Sequence, residues 1–188
     1  MTKIESLLVS GKNLFSLQDL AVIWEVGESK KLKEQVKYYL RKGRLHQIKR
    51  GIYSLKKEYS DLDLAQKLIP LSYITFHTAL SIQGINFQYY TEIHSSSLKS
   101  RRIKIGDKTF VYHKIPEQAF YNNLGLIKEP TYTIASPERA IVESLLFATR
   151  LGFDHLDNID KDKLIEITKL YENKRLEARV KKLIKKYF

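Results

Sequence analysis

Ser29-Lys30-Lys31-Leu32-Lys33-Glu34-Gln35-Val36-Lys37-Tyr38-Tyr39-Leu40-Arg41-Lys42-Gly43 is the stretch on which the fold turns. Leu32, Val36, Tyr39 and Leu40 recur at helical spacing and make one apolar stripe. Lys30, Lys33, Lys37 and Arg41 follow the same period on another stripe. The pattern predicts a helix from Lys30 to Lys42 with Ser29 as its cap, and Gly43 ends it. One side belongs in a core and the other faces solvent or a polyanion.

The flanks extend this unit. Upstream, Ser16 with Asp19 three residues on reads as a shortened capping box, and Leu17, Leu20, Ala21 and Trp24 then fall on one helical face. Val26-Gly27-Glu28 supplies a tight turn. A short first helix is expected over Ile4–Val9, broken at Gly11. Downstream, Leu45–Lys49 reads as extended, Arg50-Gly51 as a turn and Ile52–Leu55 as a returning strand. Helix, turn, helix and hairpin in that order make a winged helix-turn-helix, with Lys49 and Arg50 at the tip of the wing.

Residues 56–63 are polar and read as a linker, so the expected domains are 1–60 and 61–188. The second has a mixed pattern. Helices are expected over Leu62–Leu68, over Thr75–Gln83 with Gly84 as the stop, and from Ser136-Pro137-Glu138 onward. The last of these is apolar nearly all round (Ala140, Ile141, Val142, Leu145, Leu146, Phe147, Ala148) and belongs at the centre. Strands are expected at Glu92–Ser96, Arg102–Ile105, Lys108–Ile115 and Tyr132–Ile134, and further helices from Asp160 to Tyr171 and over Lys174–Tyr187. The fold class is α+β: an N-terminal winged helix-turn-helix, then a mixed α/β domain with a C-terminal helical segment.

Charge sharpens the picture. Thirty-three Lys and Arg against 21 Asp and Glu leave +12 over 188 residues. Residues 1–60 carry +7 of it, a higher density than the remainder. Such a surplus favours a polyanion, nucleic acid first. The expected contact set is Lys30, Lys31, Lys33, Lys37, Tyr38, Arg41, Lys49 and Arg50, mostly on phosphate, with Tyr38 and Gln35 as readers of base edges. A second basic surface comprises Lys99, Arg101, Arg102 and Lys104, together with Arg175, Arg179 and Lys182 on the last helix. Two readings stand for it: an added contact surface, or ordinary solvated charge.

Catalytic patterns are absent. No cysteine is present, which excludes disulfides and thiolate metal sites. His46, His77, His94, His113 and His155 show no metal spacing, and there is neither a glycine-rich phosphate loop nor a nucleophile elbow. Glu138 reads as a helix-start residue, and Glu143 as a partner for an Arg or Lys. No enzyme, cofactor or metal is expected. With neither a signal peptide nor a membrane-spanning run in sequence, the expected place is the cytoplasm, off the membrane.

Four stretches resemble a known family: Arg50-Gly51-Ile52-Tyr53, Ala79-Leu80-Ser81-Ile82-Gln83-Gly84-Ile85, Arg101-Arg102 before a hairpin, and Ile134-Ala135-Ser136-Pro137-Glu138-Arg139-Ala140. Their order and spacing resemble the antitoxins of AbiE-type (type IV) toxin–antitoxin pairs. Gln83 stands where that family often has His, and Glu143 where Asp is common. The resemblance implies repression of the chain's own operon through inverted repeats in promoter DNA. It also implies opposition to a cognate nucleotidyltransferase-like toxin without a stable complex. The alternative is a winged-helix transcriptional regulator whose second domain senses a ligand or dimerises, with no toxin partner.

Overall fold

A computed structural model of the chain describes residues 1–87, 91–148 and 152–188. They form an α+β protein in two compact units, Met1–Pro70 and Leu71–Phe188.

The first unit runs α1 (Lys3–Val9), β1 (Leu14–Ser16), α2 (Leu17–Ile23), α3 (Ser29–Arg41), β2 (His46–Lys49), β3 (Ile52–Ser54) and α4 (Asp61–Leu68). Its three strands form an antiparallel sheet in the order β1-β3-β2. The strand β1 was not foreseen; three residues are too few to display alternation. Ser16 closes β1 and caps α2 through a capping box: its Oγ accepts from the Asp19 N–H at 3.0 Å, and its own N–H donates back to the Asp19 carboxylate at 2.6 Å. Burial works against the Asp19 charge, but the Lys67 ion pair at 2.9 Å and the Ser16 hydrogen bonds outweigh it and hold the carboxyl below its usual range.

Leu7, Phe15, Leu20, Trp24, Val26, Leu32, Val36, Leu45 and Tyr53 share one core. Every one of α1, β1, α2, α3 and β3 contributes to it, so the helices are held by tertiary packing more than by their own propensity. The helix α3 begins one residue earlier than expected. Its N-cap is Glu28, which makes no side-chain cap hydrogen bond, and Ser29 is already helical. The hairpin turns at Arg50-Gly51 with Gly51 at φ +84°, and the register slips between Gln47 and Lys49.

The helix α4 belongs to this unit, packed on β1, with Lys67 reaching Asp19. The division therefore falls after Pro70 instead of at residue 60.

The second unit holds β4 (Tyr73–Ile74), α5 (Phe76–Ile82), β5 (Glu92–Ser97), β6 (Arg101–Ile105), β7 (Lys108–Lys114), α6 (Glu117–Tyr121), β8 (Leu126–Lys128), β9 (Thr133–Ala135), α7 (Pro137–Phe147), α8 (Lys161–Lys169) and α9 (Lys174–Tyr187). Six strands form one mixed sheet in the order β6-β7-β5-β4-β9-β8. The helix α7 is the central one: Ala140, Ile141 and Val142 are fully buried, and α5, α8 and α9 all pack against it. Its exit differs from expectation, because Phe147 is exposed.

A buried polar knot pins α7 to the sheet. Arg139 and Glu143 are both inaccessible to solvent and pair one helical turn apart, Nε to Oε1 at 3.0 Å. Arg139 uses all its donors. Nη1 donates to the carbonyls of Asn122 and Leu124, each at 2.6 Å, and Nη2 to the Ala119 carbonyl at 2.6 Å and the Tyr73 hydroxyl at 2.8 Å. Glu143 accepts from the hydroxyls of Tyr73 (2.5 Å), Tyr171 (2.7 Å), Thr75 (2.7 Å) and Ser96 (2.7 Å). Burial, then the Glu143 charge, pushes both tyrosine hydroxyls well above their ordinary range. The expected cation partner of Glu143 is thus Arg139, and the polar atoms of both side chains find partners in the interior.

Candidate nucleic-acid interface

The outer face of α3 is built by the same periodicity that fills its inner one. With Leu32 and Val36 buried, Lys30, Lys31, Lys33, Lys37, Tyr38 and Arg41 are all turned to solvent. From Ser29 to Lys42 there are six cations and one anion, Glu34. Among the described residues, none of the four expected lysines nor Arg41 is engaged by a carboxylate. Tyr38 is 48% exposed, meets Tyr39 edge-on at 5.2 Å and lies under the Lys42 ammonium at 5.9 Å.

Two shallow depressions border this helix. One, of about 650 Å³, is lined by Met1, Thr2 and Lys3 together with Lys31, Glu34, Gln35, Tyr38 and Tyr39. The other, of about 380 Å³, is lined by Glu34, Lys37, Leu40 and Arg41. Gln35 is half-buried and its Oε1 is buried without a hydrogen-bond partner among the described residues, a poorer position for reaching outward than Tyr38 has. Lys49 and Arg50 are exposed at the hairpin turn. Sequence reasoning missed the residues Met1–Lys3 beside α3. They are held there because the Trp24 indole N–H donates to the Lys3 carbonyl at 2.8 Å, while the Lys3 ammonium donates to the Trp24 carbonyl at 2.9 Å.

In the second unit the expected basic surface divides. Lys99, Arg101, Arg102 and Lys104 are exposed on or beside β6, an edge strand of the sheet. Arg102 grips the Glu92 carboxylate with both terminal nitrogens, so its charge is partly spent locally. On α9, Arg175 and Lys182 are exposed. Arg179 is turned inward: its Nη1 donates to the carbonyls of Leu145 at 2.6 Å and Leu146 at 3.1 Å, at the end of α7. It closes free carbonyls of that helix end, where a cation also suits the dipole.

A histidine pair on the sheet was not foreseen. The strands β5 and β7 run parallel, and His94 Nδ1 and His113 Nε2 lie 3.0 Å apart with their rings stacked. His94 Nε2 is 3.6 Å from Glu92, and the Phe76 ring lies 4.3 Å from that of His113. Burial first, then the neighbouring His113 and His77, pulls the His94 pKa down to about 4. Among the described residues no cluster of three or more His, Cys, Asp or Glu is placed to hold a metal ion. No described helix is long and apolar enough to cross a membrane.

No protein-family model matches this chain, and no curated protein matches it. Among solved structures it is similar to the crystal structure of the RV2827C protein from Mycobacterium tuberculosis, with a TM-score of 0.51 and 13% identity over 98% of this chain and 80% of that one. At that identity the likeness shows a shared fold and leaves the chemistry to be argued from the residues.

Proposed function

We propose that the chain is a DNA-binding regulator whose first unit is a winged helix, with α3 seated in the major groove and the β2–β3 hairpin as the wing. The observation that carries this reading is the outer face of α3, where the solvated cations on either side of Glu34 have no carboxylate partner among the described residues. An α-helix with its side chains matches the width of the major groove. Lys33 and Lys37 line one flank of the face and Lys31 the other, as two phosphate rails require. The pairing of β1 with the hairpin supports the same reading, because it braces the wing beside the helix pair.

Neutralised phosphates release counterions, so each contact contributes about 0.9 to the slope of log affinity against log salt. Replacing Lys33, Lys37 and Arg41 by Ala in the full chain is expected to weaken duplex binding and reduce that slope by about 2.7. Anisotropy titrations across a salt series measure it. An unchanged slope refutes the seating of α3.

The antitoxin role rests on the resemblance of the four sequence stretches. In that reading the protein represses its own promoter at inverted repeats and opposes a nucleotidyltransferase-like toxin in the cytoplasm, without catalysis of its own. The full chain bearing the triple substitution is expected to protect toxin-expressing cells still, if protection belongs to the second unit. Loss of protection assigns it to repression instead.

A further inference from the structure

Glu34 is the anomaly of α3. It is exposed, and it borders both depressions along the helix. At about 100° per residue, Lys31 and Lys37 are turned roughly 60° from it, one to either side. Lys30 and Tyr38 lie about 40° away on opposite sides, and Arg41 nearer still. The carboxylate therefore marks the midline of the cationic face. It pairs with none of these cations among the described residues. The spacings to Lys31 and Lys37 (i,i+3) and to Lys30 (i,i+4) would each permit a pair, yet none is closed and the side chain stays open to solvent.

A carboxylate accepts hydrogen bonds and donates none. Toward phosphate it is purely repulsive, so on a helix that grips DNA it is tolerated at the midline, where the base edges lie, and disfavoured on the flanks. In the major groove the donors that face it are the exocyclic amines, and cytosine N4 is the one a lone carboxylate reads. We propose that Glu34 is a specificity-determining residue, accepting a hydrogen bond from a cytosine amine while Lys31, Lys33 and Lys37 hold the backbone. This rests on the proposed seating of α3 in the groove.

The test is selection of the full chain against a pool of random-sequence duplexes, for the unaltered protein, Glu34→Ala and Glu34→Gln. Circular dichroism confirms the fold of each exposed-site variant. The unaltered protein is expected to enrich cytosine at one position by about tenfold. Glu34→Ala is expected to lose that preference while retaining or gaining affinity for random duplex. Glu34→Gln is expected to move it to adenine, whose N6 and N7 a carboxamide reads bidentately. Base preferences that are the same in all three proteins overturn the proposal. Salt-dependent binding with no enriched position in any of them also overturns it, while sparing the DNA-binding reading. If the unaltered chain binds no duplex at all, the seating of α3 itself fails.

Discussion

Replacing Glu143 with Gln changes one oxygen to nitrogen and leaves the volume untouched, yet it strands the Arg139 guanidinium in the interior. Both side chains are fully buried, so no water can take over the lost charge. The new amide also presents N–H groups toward hydroxyls that now donate to the carboxylate, from Tyr73, Tyr171, Thr75 and Ser96. Breaking a buried pair from one side costs about 3–5 kcal/mol. A unit of about 120 residues unfolds with an entropy of roughly 0.25 kcal/mol/K, so the second unit should melt about 12–20 °C lower. Circular dichroism follows that transition. Trp24, the single tryptophan, lies in the first unit, and its fluorescence reports that unit separately. Removing both charges with Arg139→Met and Glu143→Leu is expected to recover part of the loss. A single variant that melts within about 3 °C of the parent would refute the view that each member of the buried pair depends on the other, since the expected shift is several times larger.

Other outcomes follow from the same geometry. His94 stays neutral in the fold down to about pH 4 but is protonated in the unfolded chain below about 6.5. Its contribution is therefore present above pH 6.5 and is lost as pH falls toward 4, by an amount on the order of 3 kcal/mol. His113 and His77, also shifted down, act in the same direction. Thermal melts from pH 7.5 to 4.5 should show this slope, and His94→Gln should flatten it. Gly125 has φ +71°, and a methyl group there would stand 2.9 Å from Ile167 Cδ1 and 3.0 Å from Arg139 Cβ. Gly125→Ala is thus expected to destabilise the second unit by about 2 kcal/mol or more, read by urea titration. Arg179→Ala uncaps the last carbonyls of α7, and a loss of about 1–2 kcal/mol is expected in the same titration. Ser16→Ala removes the capping box of α2, and a loss of about 1 kcal/mol is expected in the Trp24 fluorescence transition.

Elements whose stability is local were legible in the sequence. The Ser16–Asp19 box, the Ser136-Pro137 start of α7 and the apolar stripe of α9 are written within a few neighbouring residues, and each has its structural counterpart. Elements that exist by pairing were not. β1, β4 and β8 have two or three residues each, too few for a period, and they are strands because a distant partner supplies the hydrogen bonds. The same reason hid the end of the first unit. Lys67 lies 48 residues from Asp19, and no local signal announces that α4 returns to β1. At the candidate interface, the exposed and buried sides of α3 followed from spacing alone, whereas the nearness of Met1–Lys3 depended on Trp24. The His94–His113 pair was hidden because its members come from separate strands aligned by the parallel register. Arg179 looked like one more surface charge, since only the position of the α7 terminus shows where it points.

Leu32 and Val36 do more than anchor α3. They key it into a core that four other elements also fill, so the helix cannot roll about its own axis without dislodging all of them. Whatever meets the outer row of side chains meets a fixed stencil. Mismatch must then be absorbed by bending of the partner or by the reach of lysine stems. A single residue inserted ahead of Leu32 would swing that stencil about 100°, with Gln35 moving into the buried place of Val36.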